Sequence, residues 1–216
     1  MKKMILLLVI AGCFLHMSAL SQKARAGFSA GAVFANLRGD IGGVDQSGDI
    51  KPGFTGGFLV DVPLKGSISF QPGIYYVQKG KVQQEAIGTV QDKITYELRY
   101  VDLPLNFLYN TNYTGNNFYI GAGPYVSFNL PSKIVTHVSG GTKAESDLAF
   151  GNTNAEDYRG VDFGANFLTG YRLKGGFFVS FNYALGIRNL NPKGALVQGE
   201  VRNSSFGLSL GWLVNN

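Results

Sequence analysis

The feature that most constrains this chain is a period-two alternation of apolar side chains that recurs in eight segments. Phe28, Ala30, Ala32 and Phe34 open it, and Phe54, Phe58, Val60 and Val62 follow. The third segment carries Ile68, Phe70, Ile74 and Tyr76, and the fifth Phe118, Ile120, Ala122, Val126 and Phe128. The last three are Val161 to Phe167, Phe177 to Leu185 and Phe206 to Trp212. Successive side chains of a strand point to opposite faces, so each segment reads as a strand with one apolar face. The fourth segment has Ile94, Tyr96, Leu98 and Tyr100 on one parity and Val101, Leu103, Leu105 and Phe107 on the other. A β-bulge at Tyr100-Val101 would keep these residues on one face.

The connections alternate too. Those at Leu64–Ser67, Asn110–Asn116 and Arg172–Gly175 are short, whereas those at Arg38–Lys51, Lys79–Lys93, Pro131–Arg159 and Arg188–Arg202 are long. An even number of strands with short turns at one end and long loops at the other is the plan of an antiparallel up-and-down transmembrane β-barrel. The predicted fold is therefore all-β, an eight-stranded barrel over residues 27–216.

The opposite face decides which side meets lipid. It holds Gly31, Gly57, Gly73, Gly121, Gly123, Gly164 and Gly207, with Ser and Asn between them. A water-facing surface is rich in Lys and Glu, yet only 15% of this chain is charged. Small uncharged residues suit the crowded interior of an eight-stranded barrel. Tyr75, Tyr119 and Tyr125 are the expected large fillers. The apolar face, with Phe58, Phe70, Phe128, Phe163 and Trp212, is then lipid-facing. Tyr100, Tyr109, Tyr171, Tyr183 and Trp212 would form aromatic girdles. Five charges remain inside strands and on the glycine-lined face: Asp61, Glu97, Arg99, Asp102 and Asp162. They form a candidate polar network in the lumen, with Lys79, Lys93 or Arg172 supplying further cations from the rim.

The first 26 residues read as an export signal. Lys2-Lys3 is basic, Met4 to Leu15 is apolar, and small residues follow. Cleavage after Ser21 or after Ala26 fits. The apolar run is short for a transmembrane anchor. Ile10-Ala11-Gly12-Cys13 also has the form of a lipobox. Removing Lys2, Lys3, Lys23 and Arg25 leaves 15 basic against 14 acidic residues, too balanced for a nucleic-acid partner.

Several stretches resemble the PorT-like outer-membrane β-barrel family. They are Gly27–Leu37, Gly53–Leu64 with Ser69-Phe70-Gln71-Pro72 and Tyr76–Gly80, Tyr100–Leu105, Gly121–Tyr125 and Asp162-Phe163-Gly164. The resemblance spans essentially the whole chain after the signal. It implies an integral protein of a Gram-negative outer membrane. Members are often described as porin-like, and the namesake is associated with protein secretion. Many such barrels end in an aromatic residue, whereas here Trp212 is followed by Leu-Val-Asn-Asn.

Catalytic chemistry is poorly supplied. Beyond the signal His137 stands alone among histidines, and no Cys remains. His137-Val138-Ser139 is similar to the His-x-Ser of outer-membrane lipid A deacylases, with Glu145 available to orient the His. No residue set has metal-ligand spacing, and no cofactor is expected. The expected function is a non-enzymatic structural or accessory protein of the cell envelope or of secretion. Its partners would be outer-membrane lipid and, through the long loops, other envelope or secretion proteins. A porin-like passive channel is the alternative, and a deacylase-like enzyme a distant third.

Overall fold

The computed structural model describes residues 24–41, 44–45, 47–87, 90–137, 143–151, 153, 156–192 and 199–214. Its strands are β1 (Arg25–Ile41), β2 (Val44–Asp45), β3 (Asp49–Pro63), β4 (Ile68–Ile87) and β5 (Val90–Asn110). They continue with β6 (Asn117–His137), β7 (Lys143–Asp147), β8 (Val161–Arg172), β9 (Phe177–Gly186) and β10 (Gly199–Leu213). Neighbouring strands pair antiparallel in the order β10-β9-β8-β6-β5-β4-β3-β1, and β10 pairs with β1. Eight strands thus close a ring, with β2 and β7 as additions beside β1 and β6. Closure gives each ring strand hydrogen-bonded neighbours on both sides, which a sheet inside a bilayer requires.

The tight turns follow from local sequence. Gly66, between β3 and β4, has φ +65°, a left-handed conformation that glycine adopts without strain. The Leu64 amide donates to the Ile68 carbonyl and closes the turn at 2.8 Å. Gly176, between β8 and β9, has φ +93°.

Alternation sets the two faces of the wall. Phe28, Phe58, Phe107, Phe128, Phe163, Phe181, Leu208 and Trp212 are exposed on the outside, Phe58 to 70%. Phe70 is half-buried because its ring lies against Phe107, with centroids 5.0 Å apart. Inside, tyrosines lie over glycines. A Cβ on Gly57 would come within 2.7 Å of the Tyr75 ring, and one on Gly164 within 2.8 Å of the Tyr125 ring.

Two readings of the sequence are corrected here. First, β5 has no bulge at Tyr100-Val101. Its register with β4 runs without a shift from Ile68↔Tyr109 past Tyr76↔Val101 and Val77↔Tyr100. The irregularity is in β6, where Glu97↔Lys133 is followed by Arg99↔Leu130, so β6 spends one extra residue. Leu98 and Tyr100 consequently point into the barrel and are fully buried. Tyr100 is a core residue, not part of a girdle. Second, the long connection at Lys79–Lys93 is largely strand, and that at Pro131–Arg159 holds the end of β6 and all of β7. β4 and β5 continue as a paired ribbon to Ile87↔Val90, and β7 pairs with the end of β6.

Candidate functional site: the closed lumen

Asp61, Asp102 and Asp162 all point inward and lie at two levels. Asp61, near the end of β3, is fully buried at the turn end. Its Oδ2 accepts from Arg172 at 3.0 Å, from Tyr113 at 3.1 Å and from Arg25 at 3.3 Å. Arg172 ends β8, Arg25 starts β1, and Tyr113 sits in the turn between β5 and β6. The antiparallel order brings all three to one end of the ring. The Arg25 guanidinium lies 4.0 Å from the centre of the Tyr113 ring, and that of Arg172 5.0 Å. Burial, then the Asp61 charge, pushes the Tyr113 phenol up to about 12.

The second level lies toward the loops and is centred on Lys79 of β4. Its ammonium is 2.8 Å from Asp102 and 3.3 Å from the Ser127 hydroxyl, which itself donates to Asp102 at 2.6 Å. The Tyr100 and Tyr125 rings flank the ammonium at 5.1 and 4.9 Å. Asp162 completes this level: Asn203 donates to it at 2.8 Å and the Tyr125 hydroxyl at 3.4 Å. Above it Leu37, Leu98, Tyr100, Leu148, Leu190 and Val201 form an apolar cluster, with Ile134, Phe150 and Tyr158 packed against it. Leu148, Phe150, Tyr158 and Leu190 belong to connections, so folded loops cap this end.

Between the levels is a cavity of about 90 Å³ lined by Tyr75, Tyr119, Asn106 and Asn166, among others. The Asn166 amide donates to Asn106 across it at 3.0 Å. A cavity of this size holds a few water molecules.

Glu97 and Arg99 do not join this network. They alternate with buried Leu98 and Tyr100, so they stand on the outer face of β5, where they pair with each other at 3.5 Å. The error came with the bulge assigned to β5. Of the three rim cations, Lys79 and Arg172 enter the lumen, while Lys93 is exposed on the ribbon. Sequence reasoning missed Arg25, which it assigned to the export signal, and Tyr113, an aromatic in a turn otherwise rich in Asn, Thr and Gly. His137 is exposed, and Ser139 lies outside the described residues, as do Cys13 and the first 23 residues. Glu145 is engaged by Lys133 at 2.7 Å and Lys143 at 2.5 Å.

The outer membrane protein beta-barrel domain family matches residues 19–191. No match is found among curated proteins. Among solved structures, the chain is similar to Ail, the attachment invasion locus protein of Yersinia pestis, at 11% identity over 89% of this chain and 100% of that one, with a TM-score of 0.44. Neisserial surface protein A gives 14% identity over 86% and 96%, with a TM-score of 0.40. OprG of Pseudomonas aeruginosa gives 10% identity over 90% and 97%, with a TM-score of 0.39.

Proposed function

The chain belongs to the outer membrane protein beta-barrel domain family and lies in the outer membrane, and from that premise we propose that it is a sealed, non-enzymatic barrel whose loop end contacts other envelope or secreted proteins. The observation that carries this reading is the double closure of the lumen. Asp61 with two arginines fills one end, and Lys79 with two carboxylates under an apolar cap fills the other. A porin needs a connected water path, and these groups occupy it. Phe58, Phe70, Phe128, Phe163 and Trp212 are the proposed lipid contacts.

Against an enzyme stands the engagement of Glu145 by two lysines, which removes it as the orienting partner of His137. The PorT-like resemblance of Gly53–Leu64 and Tyr100–Leu105 supports an accessory role in secretion. Planar-bilayer recording tests the sealed barrel: purified protein should show no stable open state. A steady conductance in the wild type would replace this reading with a passive channel.

Processing of the export signal belongs to the same proposal. Arg25 pairs in register with Asp61, and the Ala26 carbonyl accepts from the Val214 amide at 2.8 Å. Cleavage after Ser21 keeps these contacts, whereas cleavage after Ala26 removes them. Intact mass of the membrane-extracted protein should correspond to a chain starting at Gln22; a start at Gly27 would refute this.

A further inference from the structure

We propose that a notch on the outer wall, where β9 leaves β10, binds the phosphate-bearing headgroup of a lipid in the loop-side leaflet. The proposal rests on the outer-membrane placement and goes beyond the sealed barrel.

β9 stops pairing with β10 at Ser204↔Leu185, while β10 continues beside β1 to Ile41↔Gly199. The step leaves a notch of about 330 Å³ lined by Arg38, Leu185, Ile187, Glu200 and Arg202, among others. Arg38 and Arg202 are directly opposed on neighbouring strands. Like charges in that relation repel and raise the energy of the bare wall. Glu200 neutralises Arg202 at 2.8 Å. Arg38 has no carboxylate partner among the described residues. Arg188 follows Ile187 but turns toward β8, with its guanidinium 5.9 Å from the centre of the Phe163 ring. Asp40 and Glu200 face each other one step farther from the apolar belt. Leu185 and Ile187, beside the arginines, are exposed to 40% and 55%.

The height of the notch selects the ligand. Trp212 is the outward aromatic nearest the turn end of β10, and Arg202 precedes it by ten residues. At about 3.4 Å per residue and a tilt of about 40°, that spans about 26 Å along the barrel axis. The apolar band of such barrels is about 25 Å tall. The arginines therefore stand at headgroup level when Trp212 stands at the other interface. Phe34 and Phe206, stacked at 5.1 Å, mark the last aromatics below them. Guanidinium groups bind phosphate through paired N–H donors. Exposed aliphatics beside them suit acyl chains. Both features together fit an amphiphile with a phosphorylated head.

Native mass spectrometry of the full protein in detergent tests this with three probes: diphosphorylated lipid A, the same lipid stripped of its phosphates, and inorganic phosphate. The wild type should retain the phosphorylated lipid in preference to the other two. Arg38→Gln with Arg202→Gln should lower that retention about tenfold. Arg38→Lys with Arg202→Lys, which keeps the charge but not the paired donors, should recover only part of it and controls for folding. Lys143→Gln on β7 should change nothing. Equal retention of the stripped lipid, undiminished retention by the Gln variant, or inorganic phosphate binding as well as the lipid would each overturn the site. A protein that fails to float with lipid vesicles would instead overturn the membrane placement.

Discussion

The two closures of the lumen are built with opposite charge arithmetic. At the turn end one carboxylate, Asp61, serves two arginines; at the loop end one ammonium, Lys79, lies among two carboxylates. Within these two clusters, three acids meet three bases. The turns leave little chain to fold inward, so the lower plug consists of charged side chains and one turn tyrosine. The loop end has chain to spare and lays Leu148, Phe150, Tyr158 and Leu190 over its charges. Connection length thus decides whether a closed end is polar or greasy.

This arrangement ranks the substitutions. Removing Asp61 strands Arg172 and Arg25 and removing Lys79 strands Asp102, whereas removing Arg25 leaves the Arg172–Asp61 pair and Asp102→Asn keeps an oxygen for Lys79 and Ser127. Asp61→Ala and Lys79→Ala should each cost about 3–5 kcal/mol, the penalty of an uncompensated buried charge. Arg25→Ala and Asp102→Asn, at side chains 14% and 13% exposed, should each cost about 1–2 kcal/mol. Urea unfolding of the reconstituted protein, followed by Trp212 fluorescence, measures all four. If Arg25→Ala proves as costly as Asp61→Ala, the centre-and-satellite description of the turn end is wrong.

The apolar cap should respond differently. Leu98→Ala or Leu190→Ala removes a fully buried side chain from a cluster containing loop residues. Each should cost about 2–3 kcal/mol. The loss should be local: hydrogen exchange should quicken at Leu148 and Tyr158 while amides around Asp61 keep their protection. Equal acceleration at both ends would show that the two closures unfold as one unit.

The same contrast explains what could be read from the sequence. The outward set of Phe58, Phe128, Phe163 and Trp212 was legible because period two persists wherever one face is apolar and the other small. That condition fails at the loop end. There the interior turns apolar, so Leu98 and Tyr100 resembled a continuation of the outer face, and a bulge was needed to join them to Val101 and Leu103. The bulge that exists is on the neighbouring strand, near Pro131 and Ser132, where no switch of hydrophobic parity marks it. Glu97 and Arg99 were misplaced as a consequence. Asp61, Asp102 and Asp162 were legible as inward charges, but their partners were not, because pairing depends on which strand ends meet. Arg25 was hidden by its resemblance to the basic residues of an export signal.

The smallest expected effect lies outside the barrel, on β7. Glu145 is held by hydrogen bonds from Lys133 and then Lys143, which lower its carboxyl to about 2 from the usual 4.5. A depressed folded value means that its contribution is present above about pH 4.5 and fades as pH falls through about 2. The pairing of β7 with β6 should therefore hold through mild acid. An NMR titration of the Glu145 carboxyl should show a midpoint near 2, raised more by Lys133→Ala than by Lys143→Ala. The group is fully exposed, so water screens the pair and barrel stability should not change measurably with Glu145→Gln. Asp61 and Glu145 each bind two cations. Only at Asp61 does removing the acid leave a buried cation, Arg172, unpaired. A midpoint near 4.5 would show that the lysines do not hold Glu145, and its carboxylate would be free to serve His137.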